Sequence, residues 1–423
     1  MSDLYNRLRE IRSRTGSAQP SSSTPISPTS GTHPPPARPP APRVSVAPGP
    51  DWETLHPGVF GRTTVRHLPH TPFSPDGRWE TLSYLTRQPR GRTPVFIDTE
   101  TTGLSGGAGT VAFLVGLGIP LDAGRLAVRQ LFLADPASER DFLDRLLEIL
   151  AAVSSPLYIT YNGGSFDLPV LRSRCIMNRL TFPEEPHWDV LHPVRRLYAT
   201  RIGSCSLGNV EARVLGRPRI DDIPGREAPE RYRAFLTART PQPILPIIEH
   251  HMRDIAHLAE VALILNSVLQ SDTPPAAGTT PLAQLPPDPV ELARFLLRYG
   301  DPQDRKRALT LLEGEYHRHG VPTRRWIRVR ELLAGELRHT GDAPRYRAIR
   351  EELYGVLQRK SDLVALVKIL EHRDRDYHRA MVAIREWADR SGWDGELRHR
   401  YDRLERKEAR RRELRTGPPN DPC

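Results

Sequence analysis

The order of four strand-like runs restricts the fold of this chain more than any other feature. They are rich in branched and aromatic residues, as β-strands are, and they occupy residues 93–98, 110–118, 126–133 and 156–161. Between the third and fourth runs, one helical face collects Phe142, Leu143, Leu146, Leu147 and Leu150. Helical patterns follow at residues 168–177, 190–199, 206–215, 229–238 and 245–269. Three strands, a helix, a fourth strand and further helices predict a mixed α/β sheet domain.

Composition divides the 423 residues, 42 of them proline, into segments that pack and segments that do not. The predicted order is a short basic amphipathic helix at 1–16, a disordered Pro/Ser-rich linker at 17–50, the α/β domain at 51–271, a second linker at 272–289, a helical domain at 290–414 and a disordered tail at 415–423. The chain is therefore expected to contain two cores.

The helical region after residue 289 contains a loosely repeated pattern. The sequences KRAL at 306–309, YRAI at 346–349 and HRAM at 378–381 recur at offsets of 40 and 32 residues, near the 34-residue period of tetratricopeptide repeats. A solenoid of paired helices is one interpretation. An irregular helical bundle is the alternative.

Charge and cysteine content narrow the class of protein. Lys and Arg total 61 against 51 acids, and only four of the 61 are lysines. A phosphate-rich partner fits this balance, although GC-rich coding also produces an arginine-rich chain. Three cysteines without CxxC spacing predict neither a disulfide framework nor a zinc site. Because no run is long and apolar enough for a bilayer, we expect a cytoplasmic protein without membrane contact.

The first candidate motif is FIDTETTGL at residues 96–104, which ends the first strand. Residues i and i+2 of a strand project to the same face, so Asp98 and Glu100 place two carboxylates side by side, with Thr99 pointing the other way. Adjacent like charges are costly without a cation between them. Carboxylate oxygens suit Mg²⁺ or Mn²⁺, and the pair therefore predicts a divalent-metal site.

The second motif is YNGGSFDLP at residues 161–169, after the fourth strand. Asp167 stands at the start of the next helix, where an isolated aspartate usually serves only as a cap. Gly163 and Gly164 permit a tight turn that a ligand can approach closely. The motif is compatible with either a helix cap or a site.

The third motif is EHHMRD at residues 249–254 of the last long helix before the second linker. His250 and Asp254 are four residues apart, and His251 and Asp254 three, so both pairs are neighbours on the helix. One such pair alone would indicate a surface contact. Three separated acidic motifs on one α/β core instead predict convergence, and four carboxylates can chelate two ions.

DTETTGL, YNGGSFDLP and HHMRD, in this order, resemble the three motifs of the DEDD exonucleases of the ribonuclease-H-like superfamily. Residues 188–198 and 205–210 resemble two ancillary segments of the same fold. Within the superfamily, the chain is similar to the bacterial YprB-like branch, which joins this domain to C-terminal tetratricopeptide repeats. The resemblance covers residues 50–270 well and the helical region only in general architecture.

The resemblance implies a role for each motif residue. Asp98, Glu100, Asp167 and Asp254 would bind two Mg²⁺ or Mn²⁺ ions, and His250 would be the general base, a task that suits an imidazole. In the commonest histidine subtype, four residues separate the base from the last aspartate, and Glu249 occupies that position here. Because neither histidine has this spacing, His251 stays an alternative to His250. The implied nucleic-acid contacts are Thr99, Thr101, Leu104, Asn162 and Phe166.

The predicted function is thus metal-dependent 3′–5′ exonucleolytic hydrolysis of a nucleic acid with a free 3′ end, with DNA placed ahead of RNA. A helicase or another repair or processing protein would bind the helical repeats. Two alternatives stay open. One is a non-catalytic nucleic-acid-binding scaffold, and the other is a structure-specific endonuclease that uses the same acids.

Overall fold

The computed structural model describes residues 46–68, 91–103, 109–122, 124–219, 223–270, 285–318, 320–340 and 342–415. Several predictions lie outside these ranges, namely the amphipathic helix at 1–16, most of the linkers at 17–50 and 272–289, the contact residue Leu104 and the tail after 415. All described residues belong to one compact unit.

A seven-stranded mixed sheet forms the centre of the first domain, in the order β1-β2-β5-β4-β3-β6-β7. The strands are β1 Glu53–His56, β2 Val59–His67, β3 Thr93–Thr101, β4 Ala112–Asp122, β5 Arg125–Leu133, β6 Pro156–Thr160 and β7 His187–Asp189. Strands β1 to β5 pair antiparallel, whereas β6 runs parallel to both β3 and β7. The four predicted strands correspond to β3–β6, and the mixed α/β fold class is confirmed.

Strands β1, β2 and β7 were not predicted. Composition explains the omission of β2, and length explains that of β7. Beyond its first three residues, β2 is mostly exposed and polar, so it lacks the apolar alternation of a buried strand. Strand β7 has only three residues, too few for any periodicity. Both join the sheet by pairing with longer strands.

Six α-helices accompany the sheet: α1 Glu139–Ala151, α2 Asp167–Met177, α3 Leu191–Ile202, α4 Leu207–Val210, α5 Ala228–Ala238 and α6 Leu245–Gln270. The single helix predicted at 206–215 is instead α4 followed by a π-helical turn, Glu211–Leu215. The side chains of β3 alternate between two cores: Val95 and Ile97 face one, and Phe96 faces the other. Helix α6 contributes to both.

Two glycines of β4 let α6 lie directly against the sheet. A Cβ atom on Gly116 would overlap Ile255 and lie 2.5 Å from Cε1 of His251, and one on Gly118 would lie 2.8 Å from Cγ2 of Ile255. Any larger residue would push the helix away from β4. The approach brings the HHMRD motif of α6 to the end of β3.

The region after the second linker contains helices and no strand among its described residues, as predicted. Its helices are α7 Pro289–Tyr299, α8 Pro302–Arg318, α9 Arg324–Thr340, α10 Ala343–Leu357, α11 Lys360–Ile369, α12 Tyr377–Ser391 and α13 Gly395–Arg415. The tetratricopeptide character of these helices stays a prediction. Within the described residues, no helix has the length and apolarity needed to cross a bilayer.

The sheet domain and the first C-terminal helices share a hydrophobic core. Leu292 and Leu333 belong to the same buried cluster as Ile255 of α6. The buried guanidinium of Arg307 also donates to the carbonyl oxygens of Val268 (2.6 Å) and Leu269 (2.8 Å) at the end of α6. The predicted domain boundary at 272–289 therefore separates segments that pack together.

The last helices, α11–α13, enclose a smaller core of their own, which a buried ionic contact ties together. Glu371 accepts hydrogen bonds from Arg403 (2.6 and 2.9 Å) and Lys407 (2.8 Å). Burial alone would raise the pKa of Glu371, but these cations lower it to about 2. The ionised carboxylate consequently stabilises the fold.

We expect Glu371→Gln to remove an acid-sensitive part of the stability. The carboxylate stabilises the fold above its unfolded pKa near 4.3, and this contribution is lost as the pH falls towards 2. The free energy of unfolding of the wild-type protein should therefore drop by about 1–3 kcal/mol across this window, and the variant should lack the drop. Urea unfolding between pH 2.5 and 7 measures it.

Glu405→Gln is the matched control, because Glu405 is an exposed residue of the same helix as Arg403. Its pH dependence should equal that of the wild-type protein. An identical acid limb in Glu371→Gln would contradict the assignment.

Candidate active site

Four acidic side chains from three separate segments act on one another at the end of β3. Burial raises the pKa of Asp98 well above its ordinary value. Repulsion by Asp167, Asp254 and Glu100, in that order of size, raises it further. The fold therefore brings the other three predicted acids within electrostatic reach of Asp98.

Asp167 begins α2 but does more than start a helix. The N-cap residue is Phe166, which makes no capping hydrogen bond with its side chain. The Oγ1 of Thr99 instead donates to Oδ1 of Asp167 at 2.5 Å. Burial raises the pKa of Asp167 to about 6, although the bond from Thr99 acts in the opposite direction. The carboxylate is thus directed at β3.

The loop between β6 and α2 is held by an aspartate that was not among the predicted site residues. The Asp189 carboxylate accepts from the backbone N–H groups of Asn162 (2.8 Å), Gly164 (3.2 Å) and Leu191 (3.1 Å). Asn162 has φ +68°, and a Cβ on Gly163 would lie 2.5 Å from Cβ of Thr160. Asp189 therefore fixes the turn that precedes Asp167.

His251 is a buried structural residue. Its ring is fully enclosed, with Nε2 3.0 Å from the carbonyl oxygen of Asp98 and Nδ1 2.9 Å from Nε2 of Gln130. A carbonyl can only accept, so Nε2 carries the proton and Nδ1 accepts from the amide. Burial lowers the pKa of His251 to about 3. The neutral ring joins α6 to the backbone of β3.

His250 lies between the carboxylate of Asp254 and the guanidinium of Arg219. Its Nε2 is 3.4 Å from Oδ2 of Asp254, and its Nδ1 is 3.4 Å from Nη1 of Arg219. Arg219 also donates to Oδ1 of Asp254 at 2.7 Å. Sequence reasoning missed Arg219, because nothing distinguishes one arginine in an arginine-rich chain.

The remaining predicted contact residues surround these groups. Thr101 is buried, and its hydroxyl donates to the carbonyl oxygen of Gly103 at 2.7 Å. Asn162 is exposed and Phe166 is half-buried. Nucleic-acid contacts of Thr99, Thr101, Asn162 and Phe166 stay predictions.

The donor set fits a divalent cation in chemistry. Its members are carboxylates, the hard oxygen ligands that Mg²⁺ and Mn²⁺ prefer. The pKa of Asp98 is raised first by burial and then by the neighbouring carboxylates, and a cation would neutralise this charge. In the part of the chain that is described, no three His, Cys, Asp or Glu side chains already form a ligand shell. Asp254 is engaged by Arg219 and Asp167 by Thr99.

Known proteins resemble the segment that contains all these residues. Residues 95–266 match the sequence profile of the RNase_H superfamily. This domain has an RNase-H-like fold.

The protein described as "Uncharacterized protein YprB" of Bacillus subtilis (strain 168) is 34% identical over 181 residues, which are 42% of this chain and 43% of that protein. The matched region thus spans less than half of the relative.

We expect His251→Ala to destabilise the fold by about 2–4 kcal/mol, because it removes a packed ring and two buried hydrogen bonds. Glu249→Ala is the matched control. Glu249 is two positions away and exposed, paired with Arg62 at 2.9 Å, so its loss should cost less than about 1 kcal/mol. Urea unfolding of both variants measures the difference, and equal losses would contradict a structural role for His251.

Proposed function

We propose that this chain is a divalent-metal-dependent 3′–5′ exonuclease that hydrolyses phosphodiester bonds at nucleic-acid ends, with DNA as a substrate ahead of RNA. The observation that carries the proposal is the convergence of the three acidic motifs at the end of β3. Thr99, next to Asp98, donates to Asp167 at 2.5 Å, and His251, three residues before Asp254, lies 3.0 Å from the carbonyl oxygen of Asp98. A protein that only bound nucleic acid would gain nothing from concentrating negative charge where a phosphate must lie.

In the proposed mechanism, Asp98, Glu100, Asp167 and Asp254 hold two Mg²⁺ or Mn²⁺ ions. Bound ions of this kind lower the pKa of an attacking water and stabilise negative charge on the phosphate. The chain contributes the geometry: Thr99 orients Asp167, and the Asp189-held turn fixes the start of α2. These contacts keep the carboxylates in place when substrate arrives.

His250 is the proposed general base. Both of its nitrogens face protein groups, Asp254 on one side and Arg219 on the other. The ring must part from one of them before it can take a proton from water. His251 is a poor alternative, because its two nitrogens are bonded inside the protein.

The helices after Pro289 are proposed to bind a helicase or another processing protein. Four large apolar side chains among the described residues of this region are exposed, namely Val321, Val356, Val382 and Trp393. Burial of these side chains against a partner would remove apolar surface from water, which favours association. Slower hydrogen exchange at these helices, measured on the full chain with a purified helicase, would support the proposal.

A degradation assay on labelled substrates tests the activity. Single- and double-stranded DNA and RNA, labelled at either the 5′ or the 3′ end, are incubated with Mg²⁺, Mn²⁺ or EDTA. Stepwise shortening of 5′-labelled DNA that needs the metal is the expected result. Internal cleavage of a circular substrate would favour an endonuclease, and no cleavage of any substrate would favour a binding scaffold.

We expect Asp98→Asn to lower metal-dependent hydrolysis by at least about 10³-fold, because the metal site loses a charged ligand. The variant should fold at least as well as the wild-type protein without metal, since it relieves repulsion. Glu184→Gln is the control, an exposed acid paired with Arg172. Normal hydrolysis by a folded Asp98→Asn protein would exclude the proposed site.

We expect His250→Ala to lower turnover by about 10²–10⁴-fold with little change in substrate affinity, as for a lost proton acceptor. Single-turnover rates and binding of DNA in Ca²⁺ separate the two effects. Glu249→Ala is the control, because Glu249 occupies the position of the base in the commonest histidine subtype. A larger loss of turnover in Glu249→Ala than in His250→Ala would transfer the role.

A further inference from the structure

Arg219 occupies the centre of an ionic network beside the candidate site. Its Nε and Nη2 donate to the Glu211 carboxylate at 2.5 and 2.8 Å, and Nη2 also donates to Asp254 at 2.7 Å. The Glu211 side chain is fully buried, whereas 21% of the Arg219 side chain is exposed. One cation thus bridges a structural acid and a proposed metal ligand.

The surroundings of Arg219 hold it in this position. Gly208 lies against the guanidinium, and a Cβ there would be 3.2 Å from Nε of Arg219. On the far side, Nδ1 of His257 is 3.1 Å from Oε1 of Glu211. Glu211 therefore contacts both the guanidinium of Arg219 and the ring of His257.

The contact with Arg219 limits the availability of the Asp254 carboxylate as a metal ligand. Its Oδ1 is bonded to Arg219, and its Oδ2 lies 3.4 Å from His250. A divalent ion that takes Asp254 as a ligand must share this carboxylate with the guanidinium or displace it. At such short distances two cations repel each other strongly.

We propose that Arg219 is a resident counter-ion of the site, which neutralises Asp254 when no metal is bound and competes with a divalent ion for it. This inference rests on the proposed function, because it assigns Asp254 to the metal. Glu211 retains the guanidinium when Asp254 is released. Nη1 of the same guanidinium is 3.4 Å from Nδ1 of His250, so one residue contacts both the proposed ligand and the proposed base.

The test is Mn²⁺ binding by the full chain without nucleic acid, measured by titration calorimetry and by the paramagnetic resonance signal of free Mn²⁺. Arg219→Gln alone leaves Glu211 buried without its cation, which risks unfolding. The decisive variant is therefore Arg219→Gln with Glu211→Gln. It removes one positive and one negative charge, so the local net charge is unchanged and only the hold on Asp254 is lost.

The control has the same design at a neighbouring ion pair. Arg217 contacts Glu260 of α6 at 2.7 Å, and Arg217→Gln with Glu260→Gln removes one charge of each sign away from the proposed ligands. Circular dichroism confirms folding of every variant. We expect the Arg219/Glu211 variant to bind Mn²⁺ at least about tenfold more tightly than the wild-type protein, and the control to match the wild-type protein.

Each outcome has a separate meaning. Unchanged or weaker Mn²⁺ binding by the folded Arg219/Glu211 variant, while the wild-type protein binds the ion and hydrolyses DNA, would overturn the counter-ion role alone. Equal tightening in the control would also overturn it, because the effect would then be general. If no form of the protein binds Mn²⁺ at millimolar concentration, the metal-dependent function fails and the counter-ion role fails with it.

Discussion

The site depends on the close approach of α6 to the central strands. Gly116 and Gly118 remove the side chains that would separate helix from sheet, and His251 fills the contact by bonding the backbone of Asp98 on one side and Gln130 on the other. Because the helix is fixed at this point, Asp254 arrives one turn later within reach of Asp98. A motif far along the chain thus joins two that belong to the sheet.

This arrangement concentrates negative charge, which is unfavourable. The individual carboxylates are compensated to different degrees. Asp167 accepts hydrogen bonds from the hydroxyl of Thr99 and from backbone N–H groups, and burial raises its pKa to about 6. Asp254 has a full cation in Arg219. Among the described ion pairs, none neutralises Asp98 or Asp167, since His251, 3.8 Å from Oδ2 of Asp98, is neutral. A divalent ion bound there would relieve the repulsion between the carboxylates.

The acids could be predicted from the sequence because each sits at a place that local pattern identifies. Asp98 and Glu100 end an apolar strand, and Asp167 opens a helix after another strand. Gln130, Asp189 and Arg219 could not be predicted, since their importance comes from partners 25 to 121 positions away along the chain. The shared core across the second linker was missed for the same reason: a Pro/Gly-rich segment marks a break in the chain and does not reveal whether the flanking helices pack together.

That shared core makes the two ends of α6 interdependent. The first half of the helix carries His250 and Asp254, and the second half packs with α7–α9 and is capped by Arg307. Removing the C-terminal helices would expose apolar side chains such as Leu265 and leave the carbonyls of Val268 and Leu269 without their donor, each of which destabilises a helix. Loss of activity in a truncated chain would therefore report damage to α6 as readily as loss of a partner. Only point variants on the exposed side of the C-terminal helices can separate recruitment of a partner from support of the site.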